Sequence, residues 1–128
     1  CRSVMIKGME ALLTESLLAA RRYGVETTVL ASLRDLFPDH DWPQLARYMI
    51  SRSLLHGRRR AEEMREVART VEDAGIDPWM SAACVERQDW AAGHRGALVH
   101  EALGPLLDEV LAATPQVPDP TAGTDRRS

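Results

Sequence analysis

The sequence predicts an all-α fold, a multi-helix bundle built around its first helix. Aromatic residues make up only 5% of the chain, and Ala, Leu, Glu and Arg are abundant, which favours helix over strand. Apolar residues also recur at helical spacing in successive segments that glycine or proline separates. With 128 residues, 45% of them hydrophobic and 27% charged, the chain suffices for one domain with a modest core.

The opening segment, residues 1–24, predicts the central helix of this bundle. Its apolar residues point in most directions around a helix, which is typical of a helix buried inside a bundle. These residues are Val4, Met5, Ile6, Met9, Leu12, Leu13, Leu17 and Leu18. Gly24 follows a basic last turn containing Arg21 and Arg22, so we expect the helix to end at Tyr23.

The next elements follow from helical spacing and from capping residues. Residues 28–36 predict a short second helix, and Asp41 predicts the N-cap of a third helix that starts near Trp42. Gly57 predicts either a break in that helix or a kink through which it continues, since no proline supports a break.

The second half of the sequence predicts three further helices. Residues 58–74 carry the clearest amphipathic pattern, which should end at Gly75. Asp77 and Pro78 predict the N-cap and the first turn of a fifth helix. Apolar spacing predicts a sixth helix over residues 97–113.

Composition excludes several classes of function. A net charge of -3 and a pI near 5.8 argue against a nucleic-acid-binding surface. No apolar run reaches the roughly 20 residues that a membrane span needs, and no signal segment is recognised, so we expect a cytoplasmic protein. The two cysteines, Cys1 and Cys84, form no disulfide framework, and no metal site follows from the spacing of histidine and cysteine. Residues 115–128 are rich in proline and lack an apolar period, which predicts a disordered tail.

A polar stripe runs along the predicted first helix. It consists of Ser3, Lys7, Glu10 and Thr14, at positions i, i+4, i+7 and i+11. We expect the Lys7 ammonium to be desolvated, paired with Glu10 or presented to an anionic ligand, and Gly8 predicts a close backbone or ligand approach. The alternative is an ordinary Lys–Glu ion pair at a fraying helix start.

A second candidate lies in the segment HGRRRAEEM, residues 56–64. Its adjacent arginines point in different directions, but Arg58 or Arg59 could bind a phosphate or a carboxylate bidentately. The alternative is a solvated face in which charges three or four residues apart form pairs. Those pairs would be Arg58 with Glu62, Arg59 with Glu63, and Glu62 with Arg65.

Two blocks of the sequence resemble a known family. The blocks read CRSVMIKGMEALLTESLLAARRYGV and HGRRRAEEMREVARTVEDAGIDPWMSAA. Both resemble the helical C-terminal domain of NAD(P)-dependent oxidoreductases related to phosphogluconate dehydrogenase and the β-hydroxyacid dehydrogenases. The resemblance implies that residues 1–114 form a substrate-binding and dimerisation domain, which a Rossmann domain holding NAD or NADP precedes. A chain that starts inside a predicted helix without methionine agrees with this interpretation.

The resemblance also implies roles for the polar stripe. The family's catalytic lysine would fall just upstream of Cys1, and Ser3 stands near an asparagine that orients the substrate. Lys7 lies one turn further on, where phosphogluconate dehydrogenases contact the substrate's phosphate, so an anionic substrate is implied. Glu10 would hold Lys7 in place.

The sequence departs from this family at two points. Ile6 replaces an acidic residue of phosphogluconate dehydrogenases. The Lys–Asp pair that the β-hydroxyacid relatives carry near the cofactor is not matched, so the role of that lysine is absent or passes to Arg59 or Arg60. The sequence therefore predicts half of a homodimeric dehydrogenase for a small anionic hydroxy acid, inactive without its nucleotide domain. The alternative is a non-catalytic helical module that dimerises or binds a partner.

Overall fold

The structure is a computed structural model, and it describes residues 1–115. These residues form five α-helices and one 3₁₀ segment, with no strand among them. The helices are α1 (Arg2–Arg22), α2 (Glu26–Leu36), α3 (Trp42–Asp73), α4 (Trp79–Ala91) and α5 (Leu103–Ala112), and the 3₁₀ segment (Ala92–Val99) joins α4 to α5. The predicted all-α bundle is confirmed. The predicted disordered tail, residues 115–128, lies outside the described residues apart from Pro115.

Local capping signals place the helix ends as predicted. Gly24 after α1 and Gly75 after α3 have φ values of 71° and 85°, in the left-handed region that favours glycine. Asp41 is the N-cap of α3, and its carboxylate accepts a hydrogen bond from the backbone amide of Gln44 at 3.2 Å.

The long helix α3 runs through the predicted break. His56 leaves the helical region, with φ −120° and ψ 16°, so the helix kinks there and then continues. The next residue, Gly57, lies where α4 crosses α3. A Cβ atom on Gly57 would lie 2.1 Å from the carbonyl oxygen of Gln88, so this crossing requires glycine.

The start of α4 differs from the prediction by one residue. Pro78 rather than Asp77 occupies the N-cap position, and no side chain caps the helix there. Pro78 has no N–H group and lies just ahead of the first turn instead of within it.

The predicted helix over residues 97–113 is shorter than expected. The chain forms 3₁₀ turns through Val99, becomes extended at His100 and starts α5 only at Leu103. Pro105 explains the boundary, because proline fits the first turn of a helix but interrupts hydrogen bonding in a helix interior.

Two apolar clusters form the core, and α1 contributes to both. The larger cluster joins α1, α2, the first half of α3, the end of α4, the 3₁₀ segment and α5, with Leu17, Leu54 and Leu106 fully buried. The smaller cluster joins α1 to the second half of α3 and to α4. Its buried members are Ala11, Ala61, Met64, Cys84 and Val85.

Helix α1 packs against each of the other four α-helices, so its predicted central position is confirmed. It is not buried all round, however, because Met5 and Leu12 are 66% and 56% exposed. No described element covers the face on which these two side chains lie, and helical spacing alone could not identify that open face.

Arginines at the end of α1 fix its position against α5. Arg21 donates two hydrogen bonds to the Asp108 carboxylate, at 2.8 and 2.9 Å, and also pairs with Glu26. Arg22 donates to the backbone carbonyls of Leu111 and Thr114. The basic last turn of α1 therefore binds both the next helix and the final helix of the bundle.

Candidate functional site

The polar stripe of α1 faces other helices and not bulk solvent. Glu10 and Thr14 are buried, Ser3 is half-buried, and the Lys7 side chain is 19% exposed. Buried polar atoms need hydrogen-bond partners, and most partners here come from α3 and α4.

Glu10 binds Arg60 of α3, which corrects the predicted Glu10–Lys7 pair. Arg60 Nε donates to Glu10 Oε1 at 2.7 Å, and Arg60 Nη2 donates to Glu10 Oε2 at 3.3 Å. The two side chains are 3% and 11% exposed, so this is a buried ion pair. The planar guanidinium reaches across from α3 and binds both carboxylate oxygens, which a lysine ammonium cannot match.

Further hydrogen bonds extend this pair into a network. Gln88 Nε2 of α4 donates to Glu10 Oε1 at 3.2 Å and to the Lys7 carbonyl at 3.1 Å. The Cys84 thiol donates to the same carbonyl at 3.3 Å, and Thr14 Oγ1 donates to the Glu10 carbonyl at 2.8 Å. We call Glu10, Arg60, Gln88, Cys84 and Thr14 the buried polar network.

Burial raises the pKa of the Cys84 thiol, and the charge of Glu10 raises it further. The thiol therefore stays protonated at neutral pH, in the form that can donate to the Lys7 carbonyl. A protonated, buried thiol is a poor nucleophile, so Cys84 acts here as a hydrogen-bond donor.

Lys7 occupies the edge of this network, where solvent reaches it. Lys7 Nζ lies 3.2 Å from Glu63 Oε1, and Glu63 Oε2 lies 3.9 Å from Arg59 Nε. We call these three residues the Lys7 edge. Two cations share one carboxylate in this edge, while Glu62 and Glu66 line the adjacent surface with Arg59 and Glu63. Lys7 is also the only lysine in the sequence.

The structure separates the two arginines to which the family resemblance gave a role near the cofactor. Arg60 is held by Glu10 inside the bundle, whereas Arg59 is exposed. Arg59 also forms the expected pair with Glu63 on the surface of α3. Arg58 instead approaches Asp89 of α4, at 4.0 Å.

An open apolar groove lies beside the network, between α1 and α4. It has a volume of about 320 Å³. Its apolar walls are formed by Val4, Met5, Met9, Leu12, Met80 and Ala83. Gly8 lies in this groove, and a Cβ atom added there would meet nothing within 4 Å. The close approach predicted at Gly8 is therefore not made by any described residue.

The α4 side chains that donate hydrogen bonds to α1 in this network were not predicted from the sequence. Gln88 and Cys84 lie four residues apart on the inward face of the predicted fifth helix, and a polar glutamine among inward-facing positions was the available signal. Glu63 gave no such signal, because it belongs to an ordinary charged helix face.

Within residues 1–115, no helix has the length and apolar content to cross a membrane. Nor do three metal-ligating side chains gather anywhere in this part of the chain.

Comparison with known proteins gives a family match and a similar structure. Residues 20–91 match the family model described as a domain of unknown function, DUF1932. Among solved structures, the chain is similar to a conserved hypothetical protein from Sinorhizobium meliloti 1021, with 41% sequence identity and a TM-score of 0.68. The match covers 83% of this chain but 38% of that protein. A search of curated proteins gives no match.

Proposed function

The chain belongs to the DUF1932 family, the helical C-terminal domain of NAD(P)-dependent 3-hydroxyacid dehydrogenase-like proteins, and from this we propose that it is the substrate-contacting half of a dehydrogenase. In that enzyme a nucleotide-binding domain would hold NAD or NADP. Helix α1 would contact a small hydroxy acid that carries a carboxylate or a phosphate. A solved structure more than twice as long as the matched segment is consistent with a further domain.

The Lys7 edge is the observation that carries this proposal. Lys7 is partly desolvated, so its attraction to an anion is stronger than that of a fully hydrated lysine. Its counter-ion Glu63 is exposed and shared with Arg59, so a substrate anion could displace or supplement it without opening the core. Ser3 lies one turn earlier on the same face of α1, where its hydroxyl could hydrogen-bond a substrate oxygen.

The buried polar network would serve this site as a support. It fixes α1 against α4 through two hydrogen bonds to the Lys7 carbonyl, and against α3 through the Glu10–Arg60 pair. Arg60 belongs to that support, which leaves Arg59 as the arginine that could approach the cofactor.

The test uses the polypeptide that joins this domain to its nucleotide-binding domain. Oxidation of hydroxy acids bearing a carboxylate or a phosphate would be followed by NAD(P)H absorbance. Loss of a charge-assisted contact in Lys7→Met should raise the KM for an anionic substrate at least about tenfold, and Lys7→Arg should restore part of it.

The matched control is Arg69→Met, which removes one exposed positive charge from α3 away from the Lys7 edge. It should leave KM unchanged. The proposal would be rejected if no member of the substrate panel reacts, or if Lys7→Met and Arg69→Met have the same effect.

The apolar groove supports the second part of the proposal, a homodimer through α1. At Gly57 this chain already uses glycine to let two helices cross closely. Gly8 is a second glycine inside a long helix, and Met5 and Leu12 flank it on the same exposed face. A twofold contact could place α1 of a second copy in this groove, since such contacts use the same patch on both subunits.

Sedimentation of the 128-residue chain tests the dimer. Met80→Glu places a charge in the groove and should weaken dimerisation at least about tenfold. Leu36→Glu changes an equally exposed apolar residue on α2, outside the groove, and should leave it unchanged. A chain that stays monomeric at all concentrations would reject this part of the proposal and leave the substrate site untouched.

A further inference from the structure

A second pocket, of about 420 Å³, opens where the kink of α3 meets the end of α4 and the 3₁₀ segment. Its lining residues are Leu55, His56, Arg58, Arg59, Ala92 and Arg95. The pocket shares only Arg59 with the Lys7 edge, and it shares no residue with the buried polar network or the apolar groove. The proposed function gives a role to Arg59 alone among these lining residues and none to the pocket itself.

The pocket is strongly cationic on a chain whose net charge is -3. Three arginines and a histidine line it, and no carboxylate does. Two carboxylates reach its rim, Asp89 at 4.0 Å from Arg58 Nε and Glu63 at 3.9 Å from Arg59 Nε, both at the outer limit of an ion pair. Arg95 has no ion pair among residues 1–115. The positive charge of the pocket is therefore only weakly compensated within the described chain.

The positive charges around the pocket also affect the pKa of His56. Burial lowers the pKa of its imidazole, and positive charges lower it further. Those charges come from Arg52, Arg59 and Arg60 on α3 and from Arg95 on the 3₁₀ segment. Three arginines that line one cavity without equal counter-charge form an arrangement that an anion stabilises.

The walls of the pocket are fixed by the fold. His56 marks the kink of α3, and Gly57 beside it lies against the backbone of α4 at Gln88 and Ala92. Close backbone packing at this crossing holds Arg58 and Arg95 on opposite sides of the same opening. The backbone that carries these arginines is thus in place before an anion binds, and their exposed side chains are what binding must order.

We infer that this pocket binds the phosphate group of a small organic phosphate monoester. Guanidinium groups bind phosphate bidentately, and three of them at the border of one pocket, from Arg58, Arg59 and Arg95, suit a dianion better than a single carboxylate. The pocket has the size of a small-molecule site, larger than a bare phosphate requires. Leu55 and Ala92 provide apolar wall for the organic part of the ligand.

The experiment is an NMR titration of the full 128-residue chain, followed through the His56 ring resonances, with inorganic phosphate, glycerol 3-phosphate and an adenosine monophosphate as probes. Binding should shift the ring signals and raise the His56 pKa, because a bound dianion stabilises the imidazolium. Glycerol 3-phosphate or the nucleotide should bind more tightly than inorganic phosphate. The tighter of the two indicates which class of organic phosphate the pocket prefers.

Two variants distinguish specific binding in this pocket from non-specific electrostatic attraction to the chain. Arg95→Gln should weaken binding about tenfold or more, whereas Arg69→Gln removes the same charge from α3, outside the pocket, and should change it little. Arg95 is exposed, so its substitution should leave the fold and its helical circular dichroism intact.

Three results would overturn the inference. They are a His56 signal that does not respond to any probe, equal weakening by Arg95→Gln and Arg69→Gln, and organic phosphates that bind no better than inorganic phosphate. Because the readout needs neither NAD(P) nor turnover, each of these results is independent of the proposed dehydrogenase function.

Discussion

Helix α1 has one side whose polar groups are paired within this chain and a neighbouring side that the described residues leave open. On one side the buried polar network satisfies a charged stripe with partners from α3 and α4, such as Arg60 and Gln88. On the neighbouring side the apolar groove stays open beside Gly8. The comparison indicates that the network is a structural element, and both proposals above place binding on surfaces around it that the described residues leave open. Four substitutions, ordered by expected size, test this difference.

Glu10→Leu should have the largest effect, a loss of about 3–5 kcal/mol in the free energy of unfolding. The substitution leaves the Arg60 guanidinium buried without its carboxylate. Urea denaturation of both proteins measures the difference. The double variant Glu10→Leu/Arg60→Met should recover most of the loss, because an apolar pair of similar volume often replaces a buried ion pair without cost. A single-variant loss under about 1 kcal/mol would show that the pair is not structural.

Gly57→Ala should destabilise the chain by about 3 kcal/mol, at the upper end of overpacking effects. Its Cβ would lie 2.1 Å from the Gln88 carbonyl oxygen and 3.1 Å from the Ala92 nitrogen, so two backbones must separate. Thermal unfolding measures the change. Gly93→Ala is the control, since a Cβ there meets nothing within 4 Å. Equal effects at the two glycines would contradict the close crossing of α3 and α4.

Gly8→Ala should change stability in the opposite direction and raise the free energy of unfolding of the monomer by about 0.5–1 kcal/mol. The site is helical, and a methyl group there meets no neighbour in the described chain. The same variant should weaken the dimer if α1 of a second copy fills the groove. Denaturation at a dilution where the chain is monomeric isolates the first effect. A destabilised monomer would mean that the groove is closed by this chain itself.

Asp108→Asn compares an exposed ion pair with the buried one. Hydrogen bonds from Arg21 lower the pKa of Asp108 below its ordinary value of 3.8, so the pair stabilises the fold above that value. We expect a loss of at most about 1 kcal/mol at neutral pH, smaller at high salt. Below pH 3.8 the stabilisation fades as the folded carboxyl takes up its proton, and variant and parent should converge. Stability curves against pH test this, with Asp35→Asn on α2 as control, and a constant difference would contradict it.

Much of the fold was readable from local chemistry. Gly24, Gly75 and Asp41 each act on their own helix end, so a sequence window contains the whole signal. The start of α5 was missed although its signal, Pro105, was present, because apolar spacing was followed through the proline. Exposure of Met5 was not predictable, since periodicity reports how many faces are apolar and not which of them is covered.

The candidate site was predictable in its residues but not in their pairing. Ser3, Lys7 and Glu10 share a face, as their spacing requires. The carboxylate of Glu10 nevertheless binds a side chain 50 positions away, and no local rule ranks that partner above Lys7. Helix packing decides which charges meet, and packing depends on the whole sequence.

The kink at His56 divides α3 into two halves that differ in how much apolar surface they bury. The first half lies in the larger apolar cluster, whereas the second half pairs with α4 over the smaller one. Segments with fewer buried apolar contacts open locally at a lower free energy than the rest of a domain. No residue of α3 after Met64 is buried, so this distal end of the hairpin with α4 can open while Arg60 and Gln88 keep the rest packed on α1. Its amide protons should be the first helical ones to exchange with deuterium.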